Sequence, residues 1–145
     1  MSKMTNDEIR DFLLKGTYTG KLGTINKDGT PHVVPIWYTV DEQDNNIIFN
    51  TSGESVKAKN IRRNNRVRLC VDDQTPLFSF VIIDGIAQIE RNESSEIYKW
   101  AKIIAARYMG YDKSEAYGRR NSGEGEVLVR IKLIRIVGQK DTAEW

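Results

Sequence analysis

The chain has 145 residues with a formal net charge of +2, of which 39% are hydrophobic and 29% charged, the composition of one ordinary globular domain with a core of its own. So small a net charge argues against a dedicated nucleic-acid-binding protein, which concentrates far more basic charge. A single cysteine, Cys70, excludes an internal disulfide, and no apolar run is long enough to span a membrane. We therefore expect a cytoplasmic protein that binds neither nucleic acid nor membrane.

The first 30 residues predict a helix followed by a β-hairpin. Thr5 and Glu8 form a capping-box pattern ahead of apolar residues at helical spacing, and Gly16 stands where helices commonly end. Residues 18–25 are strand-like, and the Asn-Lys-Asp-Gly sequence at 26–29 is typical of a tight turn.

The strand predicted over residues 32–40 has no polar face, because both of its alternating sets are largely apolar. We expect such a strand to be covered on both sides, by the core on one and by a subunit, a helix or a flat ligand on the other. Pro35 cannot donate a ladder hydrogen bond, so the strand should be open or bulged there. An open edge beside Trp37 would suit a planar ring system.

Residues 52–63, with the sequence SGESVKAKNIRR, are the most informative stretch of the chain. They follow an apolar strand at 47–49, and Thr51 with Glu54 fits a capping box at a helix start. The polar and basic side chains of the first two turns are Ser55, Lys57, Lys59 and Asn60. We expect this helix start to bind a phosphate, because it combines unpaired N–H groups, the positive end of the helix dipole and two lysines. The alternative is a solvated basic helix end.

The middle of the chain predicts two strands and a long helix. Apolar and charged residues alternate over 66–72, and residues 78–90 form a longer strand with a bulge or bend at Gly85. A helix over 92–109 places Trp100 on its apolar face, and we assign this tryptophan to the core.

The last third of the chain predicts a polar connection and one final strand. Residues 110–125 are rich in turn formers and predict a long mobile connection. The strand that begins at Glu126 changes phase, which predicts a bulge near residues 133–134, and residues 138–145 predict a polar tail. About six closely spaced strands with peripheral helices predict a single-domain, α+β, mainly β barrel.

Side chains for direct catalysis are scarce. The chain has one histidine, His32, one cysteine and no carboxylates clustered at ligand spacing, so metal and nucleophilic catalysis have little support. The glycine-rich phosphate motifs of P-loop and Rossmann proteins are absent. If the protein is an enzyme, the reactive group should belong to a bound cofactor.

Three segments resemble a known family: DGTPHVVPIWYTVD at 28–41, IIFNTSGESVKAKNIRRNNRVRLCVDD at 47–73 and FSFVIIDGIAQI at 78–89. They resemble the pyridoxamine 5′-phosphate oxidase-like, FMN-binding split β-barrel superfamily, and most of all its deazaflavin-dependent branch, which uses coenzyme F-420. The resemblance implies a six-stranded split β-barrel over residues 1–145. The chain lacks the longer C-terminal segment of the pyridoxamine phosphate oxidases proper, which argues against vitamin B6 oxidation.

The resemblance also implies a homodimer with two cofactor sites in the subunit interface. The ring would lie against the second strand, at Val33, Val34, Pro35, Ile36 and Trp37, and the phosphate-bearing tail would run to Asn50, Thr51, Ser55, Lys57 and Asn60. Phe78 to Val81 and a basic residue such as Arg130 or Lys132 would close the site from the other subunit.

The function expected from the resemblance is that of an oxidoreductase that moves a hydride between reduced deazaflavin or FMN and a small organic substrate. The first alternative is a non-catalytic carrier of flavin, deazaflavin or haem, and the second is a protein whose basic helix binds nucleic acid. The extra basic residues Lys59, Arg62 and Arg63 would suit the longer, polyacidic tail of F-420.

Overall fold

The computed structural model describes residues 2–90 and 93–144, in which one antiparallel sheet curls around an apolar core. The strands are β1 (Ser2–Lys3), β2 (Gly20–Ile25), β3 (Pro31–Ile36), β4 (Thr39–Val40), β5 (Ile47–Ser52), β6 (Arg66–Asp72), β7 (Phe80–Glu90) and β8 (Glu126–Lys140). The helices are α1 (Asn6–Leu14), α2 (Val56–Arg63), α3 (Ser94–Met109) and α4 (Ser114–Arg120), with a 3₁₀ turn at Tyr111–Lys113.

The strand order across the sheet is β3-β2-β6-β7-β8-β5-β4, and β1 pairs with the end of β8. This arrangement confirms the α+β, mainly β class predicted from the sequence. The sheet has eight strands where six were predicted, because two-residue segments such as β1 and β4 pair with longer strands and are too short for a periodic pattern. β3 lies at one edge of the sheet.

The core has two parts because the long strands β5 and β8 are buried on both faces. Their inward side chains Ile47, Phe49, Val129 and Ile131 have no exposed surface and fill the interior of the curled sheet. On the outer face, Ile48 and Leu128 pack under α3 against Ile97 and Trp100. The predicted core position of Trp100 is confirmed, and α3 is fixed over the outer face of β5, where the cleft described below opens.

A bulge bends β8 where it crosses β7. Asp84 pairs with Arg135 but Gly85 pairs with Leu133, which leaves Ile134 unpaired and confirms both the bulge and the role of Gly85. A Cβ atom at Gly85 would overlap the Ile131 side chain and lie 3.0 Å from the Lys132 carbonyl oxygen. Glycine therefore lets the two strands approach at the bend.

The single strand predicted over 32–40 is wrong, since the chain leaves the sheet at Trp37 and Tyr38 between β3 and β4. The buried Tyr38 ring fills the core, and its hydroxyl donates to the Leu13 carbonyl at 2.6 Å. Pro35 pairs with Lys21 without a bulge, because β3 is an edge strand and the missing N–H costs no ladder bond. Within the subunit one face of β3 is open, with Val33 65% exposed, and the cover expected for that face stays a prediction.

The mobile connection predicted over 110–125 is also wrong, since most of it forms the 3₁₀ turn and α4. Gly118 lets α4 pack directly on α3, because a Cβ there would lie 3.1 Å from the Lys102 Cα. The Arg119 guanidinium lies over the Tyr98 ring at 5.2 Å and further fixes the contact. A sequence with little helical periodicity becomes a helix through this packing.

The ends of two other predictions need adjustment. The helix predicted over 92–109 begins at Ser94 in the structure, and Asn92 lies outside the described residues. The tail predicted over 138–145 begins later, because β8 continues to Lys140 and pairs with β1; its last residue, Trp145, is not described. Within the described part of the chain, no helix is long and apolar enough to cross a membrane.

Candidate functional site

A cleft of about 300 Å³ lies between the end of β3, the second half of β5 and the start of α2. It is lined by Pro35, Ile36, Trp37, Asn50, Thr51, Ser52, Lys57, Ala101, Ile104, Asn121 and Glu126. Six of these were predicted as site residues, namely Pro35, Ile36, Trp37, Asn50, Thr51 and Lys57. The structure therefore brings the predicted ring wall and the predicted phosphate cradle into one cavity.

The start of α2 differs from the predicted capping box. Thr51 is still part of β5, which pairs with β8 as far as Ser52, so the strand prevents Thr51 from capping the helix. Ser55 is the N-cap instead, and its hydroxyl accepts from the Ala58 N–H at 3.2 Å. The Thr51 hydroxyl donates to the Ser55 hydroxyl at 3.1 Å, which connects Ser55 to the cleft wall. Glu54 is exposed and pairs with Lys59 at 3.6 Å.

Lys57 is the cation of the cleft. Its side chain is half-buried, and within residues 2–90 and 93–144 its ammonium has no hydrogen bond and no ion pair within 4.0 Å. Burial lowers the pKa of Lys57, and the attraction of the Glu126 carboxylate offsets part of that shift. An ammonium that is partly removed from water and lacks a direct partner can gain a charge-assisted hydrogen bond from an anionic ligand.

Asn50 contributes an unpaired hydrogen-bond acceptor. It lies on the outer face of β5 beneath α3, where its side-chain amide donates to the Ile97 carbonyl at 3.4 Å. Its Oδ1 atom is buried and has no partner among the described residues. A buried acceptor of this kind costs about 1–3 kcal/mol unless a donor reaches it. A ligand N–H or O–H in the cleft would satisfy it.

Trp37 forms an aromatic wall that is held from behind. Its ring stacks on Tyr108 with centroids 5.2 Å apart and planes 7° from parallel, and it also contacts Tyr117 at 6.3 Å. The Tyr108 hydroxyl donates to the Tyr18 carbonyl at 2.8 Å, which fixes the ring behind the tryptophan. A stacked and anchored indole presents a preformed flat apolar surface.

Arg107 positions this wall, and sequence reasoning missed it. Its guanidinium donates to the carbonyl oxygens of Leu13 at 2.9 Å, Gly16 at 2.9 Å and Tyr38 at 3.0 Å. It also lies over the Tyr38 ring at 4.7 Å. One side chain of α3 thus holds the end of α1 and the segment that follows Trp37. The chain carries 22 lysines and arginines, and nothing in the sequence marks this one.

Glu126 and Asn121 were also missed as lining residues. Asn121 follows α4, a helix that the sequence did not predict, and Glu126 was recognised only as the start of the last strand. Burial raises the pKa of the Glu126 carboxyl, and the nearby Lys57 ammonium lowers it in part. A charged residue at a strand start after a glycine-rich turn was the available signal.

The remaining predicted site residues do not line the cleft. Asn60 is 1% exposed, and its side-chain amide donates to Thr24 and Asn26 at 3.0 Å each while its carbonyl accepts from Arg63 at 2.7 Å. Its side chain therefore ties α2 to β2 and the turn that follows. Val33 and Val34 lie earlier on β3, outside the lining set.

Two of the predicted basic residues have partners within the chain, namely Arg130, which was expected to close the site from the other subunit, and Arg62, which was expected to suit the tail of F-420. Arg130 donates to Asp41 at 2.9 Å and to Asp44 at 3.0 Å, and it also contacts Glu90. Arg62 donates to the Gly53 carbonyl at 2.6 Å. Their role toward a ligand stays a prediction.

The chain is a curled antiparallel sheet with a preformed cleft between a strand edge and a helix start. Residues 5–138 match the family model of pyridoxamine 5′-phosphate oxidase, and the chain belongs to this family. The resemblance stated from the sequence and the split β-barrel fold are thereby confirmed.

One curated relative, a reductase, aligns with about half of the chain. The chain is 35% identical over 75 residues to 5a,11a-dehydrotetracycline/5a,11a-dehydrooxytetracycline reductase of Streptomyces rimosus, an alignment that covers 48% of this chain and 53% of that protein. The chain thus spans about half the length of the curated relative it matches.

Solved structures show the same fold over nearly the whole chain. A conserved hypothetical protein from Mycobacterium tuberculosis is 28% identical with a TM-score of 0.81, covering 97% of this chain and 87% of that one. An F-420 reductase is 22% identical with a TM-score of 0.69 and coverages of 87% and 94%. A haem storage protein from Vibrio cholerae is 15% identical with a TM-score of 0.70 and coverages of 92% and 94%.

Proposed function

We propose that this protein is an oxidoreductase that binds coenzyme F-420 or FMN at a homodimer interface and transfers a hydride to or from a small organic substrate. One observation carries the proposal: the half-buried ammonium of Lys57 and the buried Oδ1 of Asn50, neither with a direct partner in the part of the chain that the structure describes, share a cleft with a flat apolar wall. The ammonium would bind a phosphate, the acceptor would bind a hydrogen-bond donor of the ligand, and the wall would cover a planar ring.

Each part of such a cofactor has a counterpart in the cleft. Lys57, aided by the positive end of the α2 dipole, would hold the phosphate. Asn50 Oδ1 would accept from an N–H or O–H of the ligand, and Pro35, Ile36 and Trp37 would cover one face of the ring. The polar part of the fit rests on Lys57 and Asn50 Oδ1, which lack hydrogen-bond partners among the described residues.

The chemistry of the reaction would come from the cofactor, since a reduced flavin or deazaflavin supplies a hydride when bound. The residues of this chain bind and orient the ring and exclude water. Of the lining side chains, Lys57 and Glu126 carry charge, and we assign neither as a catalytic acid or base.

A second copy of the chain would complete the site. β3 lies at a sheet edge, and the apolar residues Val33 and Pro35 are exposed on it. Proteins usually cover an apolar strand edge of this kind. We expect a solution mass of twice 16.6 kDa by light scattering, and a monomer at micromolar concentration would contradict the interface.

The direct test is titration of the protein with F-420 and with FMN, followed by ligand fluorescence. We expect at least one dissociation constant below about 100 μM, which corresponds to roughly 5–6 kcal/mol of binding free energy. Weaker binding of both cofactors would remove the enzyme proposal.

A carrier remains the second candidate, favoured by the fold shared with a haem storage protein. The lining residues include no histidine or cysteine to ligate haem iron, so the carried ligand would be a flavin or deazaflavin. Turnover separates the two functions, because a carrier would bind the reduced ring and never speed its reoxidation by any organic acceptor.

A further inference from the structure

We infer that Glu126 limits the charge that the cleft accepts, so that it favours a ring cofactor with a singly charged phosphodiester over one with a doubly charged phosphomonoester. The inference rests on the proposed function and deepens it. Next to Lys57, F-420 would present a phosphodiester and FMN a phosphomonoester, so Glu126 would favour F-420 at this part of the cleft.

The backbone fixes Glu126 at the rim of the phosphate cradle. It is the first residue of β8 and pairs with Ser52 at the end of β5. Two hydrogen bonds hold this junction: Gly53 N–H donates to the Gly125 carbonyl at 2.8 Å, and Glu126 N–H donates to the Gly123 carbonyl at 3.1 Å. Glu126 and Lys57 therefore line the same cleft from two different elements.

Lys57 and Glu126 carry charges of opposite sign that interact across the cleft without a direct contact. Their ionisable groups influence each other's pKa, yet they form no ion pair within 4.0 Å, and the Glu126 carboxylate accepts no side-chain hydrogen bond within the described residues. Both side chains are half-buried, so water screens their charges less than it screens surface groups. An anion that binds to Lys57 is therefore also subject to repulsion from Glu126.

This balance acts against a dianion for a simple physical reason. The attraction of an ion to a site grows in proportion to its charge, whereas the cost of removing the ion from water grows with the square of its charge. Because Glu126 opposes the field of Lys57, the attraction is reduced and the hydration cost weighs more heavily. A singly charged phosphodiester then enters more easily than a phosphomonoester, which is close to doubly charged above pH 7.

The test compares Glu126→Gln with the unmodified protein in binding riboflavin, the monomethyl ester of FMN and FMN itself at pH 8 and low salt. These ligands share one ring and carry no phosphate, a phosphodiester and a phosphomonoester, respectively, without the further charges of the F-420 tail. Because the repulsion doubles with the charge, the gain for FMN should be the square of the gain for its methyl ester. We expect riboflavin to change less than about twofold, the methyl ester to bind about threefold more tightly and FMN about tenfold more tightly.

The matched control is Glu124→Gln, which changes the net charge equally at an exposed residue outside the cleft. It should alter each affinity less than about twofold. Glu126→Ala should give the same graded gain in affinity, and this result would show that the gain does not come from new contacts of the glutamine amide.

The graded gain in both Glu126 variants would support the inference. An equal change in affinity for all three ligands would show that Glu126 contacts the ligand without acting through its charge. Unchanged affinities would show that Glu126 does not contribute to the site. Either result overturns the inference while the proposed function stands. Failure of the unmodified protein to bind F-420 and FMN would overturn both.

Discussion

Replacement of Lys57 by methionine should weaken cofactor binding and at the same time stabilise the folded protein. The ammonium is half-buried, and burial lowers its pKa even though the attraction of Glu126 acts in the other direction. The charged form is therefore disfavoured in the folded state, as is common where function needs a group that the fold does not. Methionine keeps much of the aliphatic stem and removes the charge.

The two effects have different sizes. Loss of one charge-assisted hydrogen bond to phosphate should cost about 1–3 kcal/mol, or roughly 5- to 150-fold in affinity. Removal of the desolvated charge should raise the free energy of unfolding by roughly 0.5 kcal/mol. Because the folded pKa of Lys57 lies below its ordinary value of 10.5, the cost is fully present at neutral pH. The stability gain of the variant should therefore shrink as the pH rises toward 10.5.

The assay combines urea denaturation at pH 7 with titration of the cofactor that the unmodified protein binds. Lys59→Met is the matched control, because Lys59 lies on the same helix but is 57% exposed and pairs with Glu54. The control should leave the free energy of unfolding unchanged, and it should also leave the affinity for FMN unchanged, because FMN lacks the polyacidic tail of F-420. If Lys57→Met lowered stability and left affinity unchanged, Lys57 would serve the fold and the cleft would lose its anion-binding group.

Three further substitutions test how the fold positions the cleft. Arg107→Lys should lower the free energy of unfolding by about 2–3 kcal/mol, because one ammonium cannot reach the four carbonyl groups that the guanidinium joins; an unchanged urea midpoint would refute this role. Gly85→Ala should cost about 1–3 kcal/mol through overlap with Ile131, and a melting temperature equal to that of the unmodified protein would show that β8 can relax. Arg130→Met should lower the free energy of unfolding by about 1–2 kcal/mol at pH 7, because Asp41 and its neighbouring carboxylates lose their cation. Calorimetry would detect this loss of stability. An unchanged unfolding transition would show that solvent screens the group.

Much of the fold could be predicted because it depends on local patterns. Alternation over 66–72, the helical spacing around Trp100 and the glycine at position 85 each correspond to an observed strand, helix or bend. Lys57 could be predicted as a cleft residue because helix starts and basic side chains have the same chemistry in any fold.

The errors arose where a tertiary contact overrides a local signal. Thr51 and Glu54 match a capping box, but pairing of Ser52 with Glu126 keeps the chain in β5 for longer. Residues 110–125 have the composition of a loop, yet α4 forms there because Gly118 lets it pack against α3. Neither contact between two elements leaves a sign in the local pattern of residues.

The same limit applies to the candidate site. Glu126 lies 69 positions after Lys57 in the sequence, and only the pairing of β5 with β8 brings the two into one cleft. Arg107 reaches carbonyl groups more than 60 residues away. Sequence patterns identified the groups that could bind a ligand, but not those that set the charge and shape of the cleft.

The most direct test of the central claim is a crystal structure of the protein with the cofactor that it binds in solution. We predict a phosphate oxygen within about 3.2 Å of Lys57 Nζ, and the ring against Pro35, Ile36 and Trp37. A bound cofactor whose phosphate lies away from the start of α2, with the Lys57 ammonium in bulk water, would contradict the account.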